Sequence, residues 1–142
     1  MNKPVVIYDL DSCVSDDRWR LHLLPDYDTY HFFCPNDLPA NKEIWPKNLD
    51  EFTPIIMTAR PEKFRSHTEA WLRQNGFLYV ELYMRENDDM RTSPEIKHDT
   101  VVKKLAKDYM NPKIEIAYDD RDDVLQAYSK LGIKTRKVNI NE

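Results

Sequence analysis

Two pairs of acidic residues each follow a short apolar run. Asp9 and Asp11 come after the run VVIY, and Asp119 and Asp120 come after the run IEIAY. If both runs are strands of one parallel sheet, their carboxyl ends lie at the edge where open α/β sheets bind ligands. Carboxylates gathered there repel one another by several kcal/mol unless a cation lies between them. The sequence therefore predicts a metal site formed by these aspartates.

Three further residues belong to the same pattern. Thr58 ends another apolar run, Arg60 follows it, and Lys97 lies at the start of a predicted helix. Taken alone, each acidic pair is more typical of a solvated turn or a helix cap, and a single lysine is more typical of a surface. Their joint occurrence in this order favours a functional site. Mg²⁺ binds carboxylate oxygens, waters and a substrate phosphate, so we expect Mg²⁺ as the cofactor.

The elements that must position these residues alternate between apolar runs and stretches of helical period, which is the pattern of a parallel α/β sheet. We expect one helix from Pro61 to Gly76, a second after Ser93 and Pro94, and a last one that closes at Gly132. Proline suits the first helical turn and glycine the end of a helix. The expected strands are Pro4–Tyr8, Pro54–Thr58, Leu78–Met84, Lys113–Tyr118 and Lys134–Asn139.

The stretch from Ser15 to Thr53 has no clear period. Prolines interrupt it, and aromatic residues are mixed with acids. Such stretches are either functional or poorly ordered, and the aromatic content favours packed structure. We therefore predict a single domain over residues 1–142, of α/β class, with a mainly parallel five-stranded sheet and a small insert or cap at about residues 15–53. Whether the insert moves as a lid is left open.

Composition limits both the fold and the partners. A chain of 142 residues with 41% hydrophobic residues has room for one compact domain with a real core. Gly76 and Gly132 are the only glycines, which excludes the glycine-rich phosphate loops of nucleotide-binding proteins. A net charge of −4 argues against binding a long nucleic-acid tract, but not against binding one end of it.

Cysteine content and hydropathy bear on the compartment. Cys13 and Cys34 have neither the spacing of a zinc site nor that of a disulfide scaffold. No apolar run approaches the ~20 residues of a membrane span, and two early carboxylates argue against a signal peptide. We therefore expect a cytoplasmic protein that does not contact a membrane. The oligomeric state is left open.

Motifs in a fixed order give the sequence a family resemblance. They are VVIYDLDSCVSD (Val5–Asp16), PIIMTAR (Pro54–Arg60), Lys97 and IAYDDRDD (Ile116–Asp123). Together they resemble the haloacid dehalogenase superfamily of phosphotransferases. More narrowly, the stretch MRENDDMRTSPEIK (Met84–Lys97) is similar to the phosphatase domain of polynucleotide kinase/phosphatase, in which a segment R-E-x-x-D-x-R leads to a lysine. The resemblance implies a Rossmann-like α/β sandwich of haloacid dehalogenase type.

The resemblance also implies a role for each candidate residue. Asp9 is the nucleophile that forms an aspartyl-phosphate. Asp11 is the general acid and base, and its main-chain carbonyl contacts the metal. Thr58 and Lys97 bind the transferring phosphoryl group. The predicted site residues are, for catalysis, Asp9, Asp11, Thr58 and Lys97; for substrate binding, Arg20, Arg60, Thr58 and Lys97; and for the metal, Asp9, Asp11, Asp119 and Asp120.

The turn after the first strand departs from the family pattern. The family normally has glycine and threonine where this chain has Ser12 and Cys13. Since glycine reaches a positive φ easily, we expect Ser12 to cost about 1 kcal/mol if the turn is kept. Cys13 lies near the acids, whose charge makes it a poor thiolate. The histidines show no ligand spacing, and we expect ordinary core or surface positions for His22, His31, His67 and His98.

These features favour a Mg²⁺-dependent phosphomonoesterase that acts on a nucleotide or on the 3′-phosphate end of a polynucleotide. The resemblance favours the polynucleotide end. The acidic charge and the aromatic insert instead favour free deoxynucleoside 5′-monophosphates or other small phosphate esters, with Trp19, Tyr27 or Tyr30 as the surface on which a base stacks. A non-catalytic receiver domain of the response-regulator type also combines acids, threonine, lysine and Mg²⁺. Such a domain has a lone acceptor aspartate after its third strand, and none follows Leu78–Met84.

Overall fold

The fold is built on a sheet of parallel strands. The computed structural model describes residues 3–140. Its strands are β1 (Val5–Tyr8), β2 (Ser15–Asp16), β3 (Leu38–Pro39), β4 (Thr53–Pro61), β5 (Glu81–Arg85), β6 (Ile114–Asp119) and β7 (Thr135–Lys137). Five of them form one sheet in the order β5-β4-β1-β6-β7, with every neighbouring pair parallel. The strands β2 and β3 form a separate antiparallel pair.

The predicted α/β class with a mainly parallel five-stranded sheet is confirmed. Each apolar run forms a strand whose bounds differ from the predicted ones by a few residues. β1 lies in the middle of the sheet, where Val5 pairs with Thr53 on one side and with Ile114 on the other. All residues of β1 are buried, which explains why this run is continuously apolar instead of alternating.

Helices cover both faces of the sheet. They are α1 (Tyr27–Phe32), α2 (Arg65–Asn75), α3 (Ser93–Asp99), α4 (Ala106–Asp108) and α5 (Asp122–Lys130), and a π-helical segment, Thr100–Leu105, joins α3 to α4. On one face, side chains of β1 and β4 pack with Trp71 and Leu72 of α2. On the other face, they pack with Leu105 and with Val124 and Tyr128 of α5. Alternate residues of each strand thus enter opposite layers of the core.

The prediction that a helix begins at Pro61 is wrong. β4 continues through Pro61, which has an extended backbone and pairs with Arg85 on β5. A 3₁₀ turn over Glu62–Phe64 follows, and α2 begins at Arg65. Proline fixes φ but allows an extended ψ, so it is compatible with the end of this strand. The predicted end of α2 is correct, since Gly76 follows the helix with φ of +70°.

The start of the next helix lies one residue earlier than predicted. Thr92, not Ser93, is the residue that caps α3, and the Thr92 N–H donates to the carboxylate of Glu95 at 3.3 Å. This pair is a capping box, whose signal T-x-x-E overlaps the Ser-Pro signal. The helix that carries Lys97 therefore has a well-defined first turn.

The segment between β1 and β4, residues 15–52, forms short elements and is named the insert here. It contains the β2–β3 ribbon, α1 and three 3₁₀ turns. Trp71 of α2 donates from Nε1 to the carbonyl of Asp37 at 2.8 Å, and Asn41 donates from Nδ2 to the carbonyl of Cys13 at 2.7 Å. These bonds fix the insert against α2 and the turn after β1. Within residues 3–140, no helix has the length and apolar character needed to cross a membrane.

The turn after β1 has the positive φ that was expected from the family pattern. Ser12 has φ of +62°. Its hydroxyl donates to Oδ1 of Asp17 at 2.7 Å, and its N–H donates to the carbonyl of Ser15 at 3.1 Å. The left-handed turn is therefore kept with a serine in place of glycine, and hydrogen bonds of that serine stabilise it.

Replacing Ser12 by glycine and by alanine separates backbone strain from the contribution of the hydroxyl. Both variants lose the hydrogen bond to Asp17, but only alanine keeps a Cβ at positive φ. We expect the free energy of unfolding of Ser12→Gly to exceed that of Ser12→Ala by about 1 kcal/mol. Urea denaturation measures the difference, and equal values for the two variants would show that residue 12 carries no backbone strain.

Candidate active site

Lys97 lies between two carboxylates that are far apart in the sequence. Its Nζ is 2.9 Å from Oδ1 of Asp9 and 2.6 Å from Oδ2 of Asp119. Asp9 follows β1 and Asp119 ends β6, and these neighbouring strands are parallel. Lys97 reaches the pair from α3, and all three side chains are buried. Burying any one of these charges without the others would be strongly destabilising.

Asp120 adds a third carboxylate to this cluster. One oxygen from each of Asp9, Asp119 and Asp120 lies within 4.8 Å of the others. Burial raises the pKa of Asp9 well above its usual range, and repulsion from Asp119 adds to the shift, although Lys97 opposes it. Burial also raises the pKa of Asp120 to about 6. Burial alone would lower the pKa of Lys97, but Asp119 and Asp9 outweigh it and raise that pKa well above its usual value.

The oxygen atoms of this cluster suit a magnesium ion. Mg²⁺ takes carboxylate oxygens and waters as ligands, and its charge favours the ionised form of carboxylates whose pKa values burial has raised. Within residues 3–140, no other group of three acidic, histidine or cysteine side chains has this spacing. Of the four predicted ligands, the structure brings Asp9, Asp119 and Asp120 together. The side chain of Asp11 is not part of the group, and the expected contact of its main-chain carbonyl with the metal stays a prediction.

Asp11 contacts two arginines. Arg60 donates from Nε and Nη2 to the two carboxylate oxygens at 3.1 and 2.7 Å, and Arg20 donates from Nη2 to Oδ1 at 2.6 Å. Burial by itself would raise the pKa of Asp11, but Arg60 and Arg20 outweigh it and hold that pKa well below its usual range. The side chain is still 19% exposed. Asp11 is therefore an ionised carboxylate that solvent can reach.

Both arginines that were predicted to bind substrate are fully buried and hold Asp11 in place. Arg20 also donates from Nε and Nη2 to the carboxylate of Asp37 at 2.8 and 2.7 Å, and from Nη1 to the carbonyl of Tyr30 at 2.9 Å. Arg60 donates from Nη1 to the hydroxyl of Thr68 on α2 at 3.0 Å. The structure thus assigns four hydrogen bonds to Arg20 within the protein. Direct contact of either guanidinium with substrate stays a prediction.

Thr58, within β4, and Cys13, in the turn after β1, are both buried. The Thr58 hydroxyl oxygen accepts the N–H of Arg60 at 3.2 Å, which orients the hydroxyl. Burial raises the pKa of the Cys13 thiol well above its usual value, and the charges of Asp9 and Asp119 add to the shift. Cys13 is therefore a poor thiolate, as the sequence indicated.

The charged segment before α3 forms a structural network. Arg85 donates from Nε to the carbonyl of Ala59 at 2.8 Å and from Nη1 to the carbonyl of Asp89 at 2.7 Å. Arg91 forms an ion pair with Asp89 at 2.8 Å. These contacts connect the end of β4 to the segment between β5 and α3, which positions the helix that carries Lys97.

Sequence reasoning missed Asp37, which connects several of these side chains. Its carboxylate accepts hydrogen bonds from Arg20, from Ser15 at 2.6 Å and from Trp19 Nε1 at 2.8 Å. Asp37 lies in the insert, where no periodicity shows which side chains face inward. The sequence contained only an indirect signal for Asp37. A buried arginine such as Arg20 requires a nearby negative charge, but the insert contains several acids that could provide it.

Comparison with known proteins places this arrangement in a family. The sequence model of the family described as polynucleotide kinase PNKP phosphatase domain matches residues 4–142. No curated protein matches the chain. The family match covers every predicted site residue, and it favours the phosphatase interpretation over a receiver domain.

Solved structures share the fold at low sequence identity. A chain in the structure of the Pnkp1/Rnl/Hen1 RNA repair complex is similar with a TM-score of 0.79 and 22% identity, over 99% of this chain and 44% of that chain. A chain in a second Pnkp1/Rnl/Hen1 complex gives a TM-score of 0.80 and 23% identity, over 99% and 47%. A haloacid dehalogenase-like hydrolase from Streptococcus pneumoniae gives 0.63 and 11%, over 94% and 83%. The expected haloacid dehalogenase fold is confirmed, and the chain spans less than half the length of the repair-complex chains.

Binding of Mg²⁺ to the carboxylate cluster is expected to weaken in acid. The pKa of Asp120 is raised to about 6 and that of Asp9 is raised well above its usual range, so a cation must displace protons to bind. Below about pH 6, the pKa of Asp120, we expect the affinity for Mg²⁺ to fall by up to ~10-fold per pH unit for each proton that the ion displaces. Isothermal titration calorimetry in buffers of different ionisation enthalpy measures the affinity and the protons released.

The matched control for this measurement is Asp122→Asn, which removes an exposed acid in the first turn of α5. It should keep the affinity and the proton release of the unmodified chain. Asp120→Asn, in contrast, should bind Mg²⁺ more weakly and release fewer protons. An affinity that is independent of pH, with no protons released, would contradict a metal site at this cluster.

Proposed function

This chain belongs to the family of polynucleotide kinase PNKP phosphatase domains, and on that premise we propose that it is a Mg²⁺-dependent phosphomonoesterase with an aspartyl-phosphate intermediate. The observation that carries the proposal is the position of Lys97, whose ammonium contacts Asp9 and Asp119 at the carboxyl ends of β1 and β6. A carboxylate attacking a dianionic phosphate requires nearby positive charge, because charge repulsion makes up much of the barrier. Mg²⁺ held by Asp9, Asp119 and Asp120 would supply more of this charge.

The first step is attack on phosphorus by a carboxylate oxygen of Asp9. As this bond forms, the bond from phosphorus to the ester oxygen breaks, and the leaving oxygen takes a proton from Asp11. Asp11 is ionised in the free protein and takes up this proton from solvent after the substrate has bound. Lys97 and the hydroxyl of Thr58 donate hydrogen bonds to the phosphoryl oxygens. In the second step, water attacks the same phosphorus and gives a proton to Asp11. The carboxylate of Asp9 leaves, so that inorganic phosphate is formed and both aspartates are regenerated.

Asp11 can donate a proton only after its contacts with the arginines weaken, since Arg60 and Arg20 outweigh burial and hold its pKa well below its usual range. A bound phosphate offers the guanidinium of Arg60 a competing partner, and its negative charge raises the pKa of Asp11. Arg60 therefore contacts Asp11 before substrate binds and the phosphate afterwards. Arg20, whose other donors bind Asp37 and Tyr30, keeps the carboxylate of Asp11 in position.

We propose the 3′-phosphate end of a nucleic acid as the substrate. Membership of the PNKP phosphatase family supports this class, and two similar structures are chains of complexes that contain Pnkp1, Rnl and Hen1, one of them described as an RNA repair complex. A net charge of −4 fits contact with an end better than with a long tract. Free nucleotides are the second candidate, because Trp19 and Tyr27 of the insert are 45% and 61% exposed and offer surfaces on which one base can stack. The prediction that Tyr30 offers such a surface is wrong, since its side chain is buried beneath Arg20.

The cysteines support a reducing compartment. Cys13 and Cys34 are both free and buried. Burial raises the pKa of each thiol, so neither is a reactive thiolate. This chemistry is consistent with the cytoplasm, which we propose as the location.

Asp9→Asn is expected to abolish turnover, because the neutral amide cannot attack phosphorus. We expect the hydrolysis of p-nitrophenyl phosphate in Mg²⁺ to fall by at least ~10³-fold, while the circular dichroism spectrum stays that of a folded α/β protein. Asp122→Asn, an exposed acid on α5, is the control and should keep full activity. Unchanged activity of Asp9→Asn would rule out this residue as the nucleophile.

The substrate class is tested by comparing rates on two phosphate esters in Mg²⁺. We expect kcat/KM to be higher for an oligonucleotide with a 3′-phosphate than for a deoxynucleoside 5′-monophosphate, because only the first presents a nucleic-acid 3′ end. The reverse order would identify free nucleotides as the substrate. Hydrolysis of sugar phosphates with no hydrolysis of either ester would contradict both assignments.

A further inference from the structure

His31 is buried, yet one of its ring nitrogens has no hydrogen-bond partner. The residue lies near the end of α1 and is only 7% exposed. Its Nδ1 is buried and unpartnered within the part of the chain that the structure describes. Nearly all buried polar groups in proteins are paired, and an unpaired one is destabilising. Beside a candidate active site, such a nitrogen indicates a ligand atom that the free protein does not supply.

The imidazole of His31 is connected to Asp11 through the side chains of Tyr30 and Arg20. Its ring packs against Tyr30, with centroids 4.9 Å apart, and against Phe64, with centroids 5.6 Å apart. Burial lowers the pKa of His31 to about 4; Asp11 opposes this shift, and Arg60 adds to it. The aromatic contacts hold the ring in place, and the centroid of the Tyr30 ring lies 4.2 Å from the guanidinium carbon of Arg20, which donates to Asp11.

At neutral pH the imidazole is therefore uncharged, which limits what it can bind. Phosphate oxygens are recognised by charged donors, and Lys97 and Arg60 provide those in the proposed mechanism. A neutral imidazole has one nitrogen that accepts a hydrogen bond and one that donates. Nδ1 is the donor in one tautomer and the acceptor in the other, and a hydroxyl group matches it in both cases because it can accept or donate. The organic part of the substrate is thus the better match for His31.

We propose that His31 binds a hydroxyl group on the carbon next to the one that carries the scissile phosphate. The inference rests on the proposed function, in which Asp11 protonates the leaving oxygen. The carbon that bears this oxygen then lies next to Asp11. The hydroxyl group on the neighbouring carbon is the part of the substrate that we place at His31. In a nucleotide with a 3′-phosphate, the neighbouring carbon carries the 2′-hydroxyl, the group that distinguishes ribose from deoxyribose.

Two substrates share this chemistry, and the experiment distinguishes them. One is the 3′-phosphate end of an RNA, and the other is a free ribonucleoside 3′-monophosphate. With the unmodified chain in Mg²⁺, kcat/KM is measured for an RNA and a DNA oligonucleotide of the same sequence, for the ribo and deoxy nucleoside 3′-monophosphates, and for p-nitrophenyl phosphate, which has no sugar. We expect each ribo substrate to exceed its deoxy counterpart by about tenfold, the effect of one hydrogen bond.

Variants then assign this preference to His31. His31→Phe keeps an aromatic ring but loses both nitrogens, and its ratio of ribo to deoxy kcat/KM should fall to about 1. Its rate on p-nitrophenyl phosphate should be retained. His31→Asn keeps a hydrogen-bonding group near the position of Nδ1 and should restore part of the preference. His67→Phe is the matched control, because His67 also has a buried unpartnered Nδ1 but packs against Phe32 and Phe64 from α2.

The outcomes separate this inference from the proposed function. If both ribo substrates are preferred over their deoxy counterparts, the result supports recognition of the 2′-hydroxyl in either substrate. If only the RNA oligonucleotide is preferred, the result supports recognition of the 2′-hydroxyl at the end of an RNA. Hydrolysis by the unmodified chain without any preference overturns the inference, whether or not the variants fold. A preference that His31→Phe retains also overturns it. Failure to hydrolyse any substrate, including p-nitrophenyl phosphate, overturns the proposed function and the inference together.

Discussion

Around Lys97, buried charges of opposite sign have to coexist at the end of a hydrophobic sheet. Carboxylate oxygens of Asp9, Asp119 and Asp120 lie within 4.8 Å of one another, and the ammonium contacts two of these residues. None of these groups could remain there alone, because an uncompensated buried charge is strongly destabilising. The order of β1 and β6, the capped start of α3 and the segment held by Arg85 therefore all serve to keep these charges together.

The two aspartates after β1 have opposite electrostatic environments. Burial and Asp119 raise the pKa of Asp9, with Lys97 opposing the shift, whereas Arg60 and Arg20 outweigh burial and lower the pKa of Asp11. Side chains two residues apart in an extended segment usually point the same way. The left-handed turn at Ser12 and the insert allow Asp11 to be surrounded by a different set of partners. The residues proposed as carboxylate nucleophile and as proton donor thus come from one short motif.

The parts of the site that follow the sheet were predictable, and the parts that depend on the insert were not. Asp9, Asp119 and Asp120 follow strands whose parallel arrangement is visible in the apolar runs, so their meeting point could be inferred. The start of α2 was misplaced because proline suits the end of a strand as well as the first helical turn. Asp37 and His31 acquire their roles from contacts across a segment without periodicity. Such contacts depend on tertiary packing, which no local pattern encodes.

A single indole nitrogen connects the packing of the core to the chemistry of the site. Trp71 lies in the core between α2 and the sheet, and its Nε1 donates to the carbonyl of Asp37, whose carboxylate holds Arg20 against Asp11. This series of contacts connects α2 to Asp11, the proposed acid–base group. A substitution of Trp71 would therefore change the surroundings of Asp11 as well as the packing of the core.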